Sequence, residues 1–150
     1  MTIAIFDLDN TLLDGDSESM WSDFLFENKI VDEIFVSRIA AYFDEYEKGR
    51  LDLFPYESYL MSSIKLIPEE ELNHFRGLYL DRIRNVIRPV LVGILEQHRS
   101  QNHELLLITA ANNFLAQPIA KILEFRHLIC TDRYEIRREY WQNYWNTCVS

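Results

Sequence analysis

Asp7 and Asp9 stand two residues apart at the end of a short apolar run, residues 2–8 (TIAIFDL), and Thr11 follows at the same interval. Alternate residues of an extended chain share a face, so both carboxylates can converge on one point. Carboxylates that close repel unless they share a cation or a proton. Mg²⁺ suits them, because it takes few carboxylates and completes its shell with water and phosphate oxygen. Such a site could support attack on phosphorus, one carboxylate acting as nucleophile and the other as acid and base. The plainer alternative is a turn, which Asp9 and Asn10 favour. The apolar strand leading straight into the pair tips the reading toward a site, since ligands of open α/β sheets collect at the carboxyl ends of strands.

The elements around this pair follow from periodicity. Residues 2–8 read as a strand buried on both faces, as in a parallel sheet. A helix is predicted from Asp16 or Ser17 to about Asn28, with Asp16 and Ser17 as candidate N-caps. A second runs from about Asp32 to Lys48, with Gly49 suited to its C-terminal cap. A third covers about Leu53 to Lys65, and Pro68 followed by three glutamates opens a fourth. Residues 15–85 thus read as all-helical. Beyond them come a helix over Pro89–His98, a buried strand over Glu104–Thr109, a helix over Asn113–Glu124 and a short strand over His127–Thr131. A helical insert therefore interrupts a β-α-β-α-β series after its first strand.

The chain has 150 residues, of which 48% are hydrophobic and 26% charged, which excludes a disordered or low-complexity polypeptide. Its net charge of -9 lacks the basic footprint of a nucleic-acid binder and disfavours anionic membrane surfaces. No apolar run approaches the roughly 18 residues of a spanning helix, and MTIAIFDLDN is not a signal peptide. Cys130 and Cys148 make no disulfide framework. A cytoplasmic location is the expectation, with no nucleic-acid or membrane partner.

IFDLDNTLLDGDS (5–17) resembles the first motif of the haloacid dehalogenase superfamily, an apolar strand running into DxDxT. With GDSESMW after it, the segment is similar to the phosphoserine-phosphatase-like branch, which carries a helical cap. ELLLITAANNF (104–114) resembles the second motif, a strand ending in Ser or Thr. PIAKILEFRHLICTD (118–132) resembles the next helix and strand, and the likeness covers about residues 1–137. It implies an α/β fold: an incomplete Rossmannoid parallel sheet, residues 1–14 and 86–150, with an all-helical cap inserted over 15–85. It also implies roles. Asp7 would be the nucleophile, and Asp9 would protonate the leaving oxygen and then activate water. Mg²⁺ would lie on the Asp7 carboxylate and the Asp9 backbone carbonyl. Thr109 would hydrogen-bond the phosphoryl oxygens, although by itself it also reads as a strand-end threonine. Asn10, Thr11 and Ala110 would line the loops. The implied reaction is Mg²⁺-dependent hydrolysis of a small phosphomonoester, phosphoserine-like, and the implied partner is a small phosphorylated metabolite.

Other polar residues read more simply. Asp14, Asp16 and Ser17 suit helix capping better than substrate contact. Glu18 and Arg50 could meet a substrate amine and carboxylate, but read as solvated charges. His74, His98, His103 and His127 show no metal-ligand spacing.

The resemblance also calls for a third motif with Lys or Arg and a fourth with paired acids. After Thr131 the chain offers only Arg133, Arg137 and Arg138 as cations and Asp132, Glu135 and Glu139 as acids. Impaired activity is therefore the expectation, since phosphoryl transfer depends on charge neutralisation. Strand 2–8 should also become a sheet edge, through which a homo-oligomer could pair. Relatives carry a turn-rich YTGxxxGxP near the place of the aromatic tail EYWQNYWNTCVS. Reading the codons of Tyr140 to Cys148 one base later permits Thr-Gly-Lys-Ile-Ile-Gly-Thr-Pro-Val, both glycines being forced by the Trp codons and their following bases. An out-of-frame tail from about Trp141 on a truncated chain is thus expected; an aromatic helix packed on the core is the alternative. A non-catalytic binding module and a gene remnant are the competing functional readings.

Overall fold

Among the described residues three strands form a parallel sheet in the order β1–β2–β3: β1 is Ile3–Asp7, β2 is Glu104–Asn112 and β3 is His127–Thr131. A computed structural model describes residues 2–131. Between β1 and β2 lie five α-helices: α1 (Ser17–Glu27), α2 (Glu33–Glu47), α3 (Leu53–Ser62), α4 (Glu69–Val86) and α5 (Pro89–Ser100). Helix α6 (Asn113–Ile122) links β2 to β3. The tail from Trp141 and the Arg, Asp and Glu positions after Thr131 lie outside the described residues.

Short polar side chains start the helices. Asp16 accepts from Ser19 N–H at 2.8 Å, Asp32 from Phe35 N–H at 2.9 Å, and Asn112 from Leu115 N–H at 3.2 Å. Each satisfies a backbone donor that the first helical turn leaves free. Gly49 follows α2 with φ of 66°, a left-handed conformation that costs glycine little.

The two chain passages that bracket α1–α4 run side by side. Leu13 and Ile87 form an antiparallel bridge. Asp14 N–H donates to the Val86 carbonyl at 2.8 Å, and Arg88 N–H to the Leu12 carbonyl at 2.9 Å. An aromatic cluster then ties these helices to α6. The fully buried Trp21 of α1 meets Tyr79 of α4 and Phe114 of α6 edge-on, with ring centroids 5.1 and 5.6 Å apart. Large rings set edge-to-face gain beyond their buried area.

Two expectations need correction. Strand β1 is buried on one face only: Ala4 is 8% exposed, but Ile3 is 49% and Ile5 62% exposed. Ile108 and Ile129 continue this uncovered face across β2 and β3. An apolar run reports that a residue can be buried, and a covering layer decides whether it is. Strand β2 also continues three residues past Thr109 to Asn112, with a register shift against β3 between Ile108 and Asn112. As expected, β1 is an edge of the sheet among the described residues.

Candidate active site

Register brings the two motifs together. β1 pairs with β2 from Ile3 opposite Glu104 to Asp7 opposite Ile108, which sets Asp7 beside the stretch that carries Thr109. After Asp7 the chain turns tightly through Leu8–Leu12, with Leu13 N–H bonded to the Leu8 carbonyl at 3.0 Å. Within that turn Asn10 takes φ of 56°, which its short side chain tolerates, and its N–H donates to the Gly15 carbonyl at 2.8 Å.

The turn aims the carboxylates differently. Asp7 is exposed, and its Oδ2 accepts from the Thr11 hydroxyl at 2.6 Å. Asp9 is half-buried: Oδ1 accepts from Ser17 N–H at 2.6 Å and Oδ2 from the Thr109 hydroxyl at 3.3 Å. Burial pushes the Asp9 carboxyl above the ordinary aspartate value, the Asp7 charge pushes the same way, and the Ser17 and Thr109 hydrogen bonds oppose both. Asp9 is thereby better able to carry a proton than a solvated aspartate. Thr109 is buried and its Oγ1 also accepts from Ala111 N–H at 3.1 Å. Ala110 is exposed, and its carbonyl accepts from the Thr131 hydroxyl at 2.6 Å.

Asp7 with Thr11 and Asp9 with Thr109 therefore form two neighbouring hydrogen-bonded pairs, with Asn10 and Ala110 beside them in sequence. The donors are all hard oxygens. Among the described residues no set of three His, Cys, Asp or Glu side chains converges to hold a metal. A site of few carboxylates fits Mg²⁺, which keeps water and phosphate in its shell, and does not fit soft or imidazole-seeking ions.

The remaining candidates separate. Asp14 pairs with Arg88 at 2.9 Å, and Arg50 pairs with Glu45 at 2.9 Å, both at the surface. Asp16 caps α1, and its carboxyl is pushed up to about 6, chiefly by burial. Glu18 is the correction: it is 7% exposed rather than solvated. Its Oε1 accepts from Asn112 N–H at 2.9 Å and from the Asn112 side-chain amide at 2.6 Å. Its Oε2 accepts from the Tyr56 hydroxyl at 2.5 Å. Burial, and next the charge of Glu57, push its carboxyl up to about 8. No local pattern signalled this burial.

The haloacid dehalogenase-like hydrolase family matches residues 4–146, and the chain belongs to that family. It is 28% identical over 131 residues to a histidinol-phosphatase of Neisseria meningitidis serogroup C (strain 8013), covering 86% of this chain and 59% of that protein. A Bordetella pertussis Tohama I protein of unknown function superposes with a TM-score of 0.78 at 29% identity, covering 92% of this chain and 64% of that one. A substrate-bound phosphoserine phosphatase shares the fold, with a TM-score of 0.58 at 12% identity over 86% of this chain and 55% of that one. The chain thus spans less than two thirds of the length of each of these relatives.

Proposed function

We propose that this chain carries the catalytic aspartates of a Mg²⁺-dependent phosphatase acting on a small phosphomonoester. In this reading residues 1–14 and 86–150 belong to the catalytic core, and 15–85 form its cap. The observation that carries it is the division of labour between the two aspartates. Asp7 is solvent-accessible at a strand end, while Asp9 is half-buried, fixed by two donors and raised toward protonation. That is the pairing a nucleophile and a general acid need.

In the proposed reaction an Asp7 carboxylate oxygen bonds to phosphorus as the ester P–O bond breaks. Asp9 gives its proton to the departing alkoxide. Asp9 then takes a proton from water, the water oxygen bonds to phosphorus, and the Asp7–phosphorus link breaks to release phosphate. In this reading the Thr109 hydroxyl, which rests on Asp9 in the free chain, turns to donate to a phosphoryl oxygen when substrate binds, and Thr11 lines the loop. The Asp7 carboxylate and the Asp9 backbone carbonyl would hold Mg²⁺, which would supply neutralisation of phosphoryl charge. A phosphatase name on the Neisseria relative supports the reaction class, and its substrate supports an amino-alcohol phosphate, as the phosphoserine-like reading does.

The test is hydrolysis of p-nitrophenyl phosphate with Mg²⁺ by the chain and by Asp7→Asn. Loss of the nucleophile should lower the rate by at least about 1,000-fold. Equal rates in the two proteins overturn the proposal.

A further inference from the structure

The first turn of α1 touches both chain segments that carry the proposed chemistry. Ser17 N–H reaches Asp9, and one residue later Glu18 reaches Asn112 at the end of β2. The turn is itself clamped, because the Tyr79 hydroxyl of α4 donates to the Ser17 carbonyl at 2.8 Å. Sheet pairing thins out over residues 109–112. Regular pairing with β1 ends at Ile108, and pairing with β3 is interrupted after Ile108 and resumes at Asn112 opposite Thr131. Side chains bridge that gap. Thr131 holds the Ala110 carbonyl, and Glu18 takes both donors of Asn112 on one oxygen. The Asn112 side-chain oxygen is left to cap α6. Glu18 thus orients the Asn112 amide, starts α6, and fixes the chain three residues beyond Thr109.

We propose that Glu18 is a positioning residue: its carboxyl, steadied by Tyr56 of α3, holds residues 109–112 so that Thr109 stays beside Asp9. This rests on the reading of Asp9 and Thr109 as phosphoryl-handling groups, but the placement itself is measurable without turnover. Glu18→Ala removes the acceptor. Glu18→Gln keeps an acceptor oxygen for Asn112 and an amide that can donate to the Tyr56 oxygen.

The experiment is residue-resolved amide hydrogen exchange on the full chain, with phosphomonoester turnover measured in parallel. In Glu18→Ala, exchange at Asn112 and Leu115 should rise about 10- to 100-fold, the loss expected for a buried hydrogen bond to a charged or acidic group. Exchange at Ile39 in α2 should stay as it was, and Glu18→Gln should restore Asn112 to within about threefold of wild type. In turnover, kcat should fall in Glu18→Ala and recover in Glu18→Gln. Unchanged exchange at Asn112 overturns the proposal, and so does an equal rise at Ile39, which would mark Glu18 as a general stabiliser. If Glu18→Ala does not fold, Tyr56→Phe replaces it: a rise at Asn112 without one at Ile39 supports the proposal, and unchanged protection overturns it. Turnover that is equal in wild type and Asp7→Asn, with the exchange pattern as expected, sinks the phosphatase reading and leaves the positioning role standing.

Discussion

Replacing Glu18 with glutamine should flatten the alkaline side of the stability profile. In the folded chain burial, followed by the Glu57 charge, lifts the Glu18 carboxyl from 4.5 to about 8. Within that window the folded protein retains a proton that the unfolded chain has already released. Folding stability linked to Glu18 is therefore fully present below pH 4.5 and lost as pH rises toward 8. One proton sets the slope, at most about 1.4 kcal/mol per pH unit. Over a span of about 3.5 units the ceiling is about 5 kcal/mol, and relaxation around a charged carboxylate brings the expected loss to about 2–4 kcal/mol. Glutamine cannot ionise and keeps an acceptor for Asn112. The assay is urea unfolding followed by circular dichroism at pH 5, 6, 7 and 8 for both proteins. The wild-type value minus the Glu18→Gln value should fall steadily with pH. Asp16, raised to about 6, and Asp9, also raised, titrate in both proteins, so the difference reports Glu18 together with its coupling to Asp16 and Glu57. Parallel profiles for the two proteins would refute the reasoning.

Three further outcomes follow from packing. Trp21→Ala empties the aromatic contact among α1, α4 and α6, and should cost about 3–5 kcal/mol in urea unfolding; a loss below about 1 kcal/mol would mean the cluster is not packed as described. Gly15→Ala puts a Cβ at φ of 138° and against the Met20 methyl, so a loss of about 1–3 kcal/mol is expected, read as a lower thermal midpoint. The uncovered Ile3 and Ile5 on edge strand β1 should promote pairing between copies, detectable by light scattering on a sizing column, and Ile5→Lys should restore the monomer; a monomeric wild type at tens of micromolar removes that expectation.

Much of the fold was legible because its signals are local. Asp16, Asp32 and Asn112 each precede a helix and cap it through their own side chains, which is a property of adjacent residues. The β3 strand, His127–Thr131, lies where its apolar run predicts. For the candidate site, the DxDxT spacing announced Asp7, Asp9 and Thr11, whereas Thr109 entered through the family resemblance, its strand alone reading as one that ends in an ordinary threonine. The hydrogen bond between Thr109 and Asp9 spans 100 residues of chain and could be expected only by resemblance.

The sequence by itself determined where strands and helices begin and which residues could do chemistry, because turns, caps and apolar periodicity act over a few neighbours. Tertiary structure decided burial. Glu18, which reads as a solvated charge, is enclosed by Tyr56 and Asn112 from distant segments, and Ile5, which reads as core, lies open. The local sequence encodes a residue's affinity for water. The neighbours that exclude water arrive only when the chain folds, and they alone set the cost or gain of that affinity.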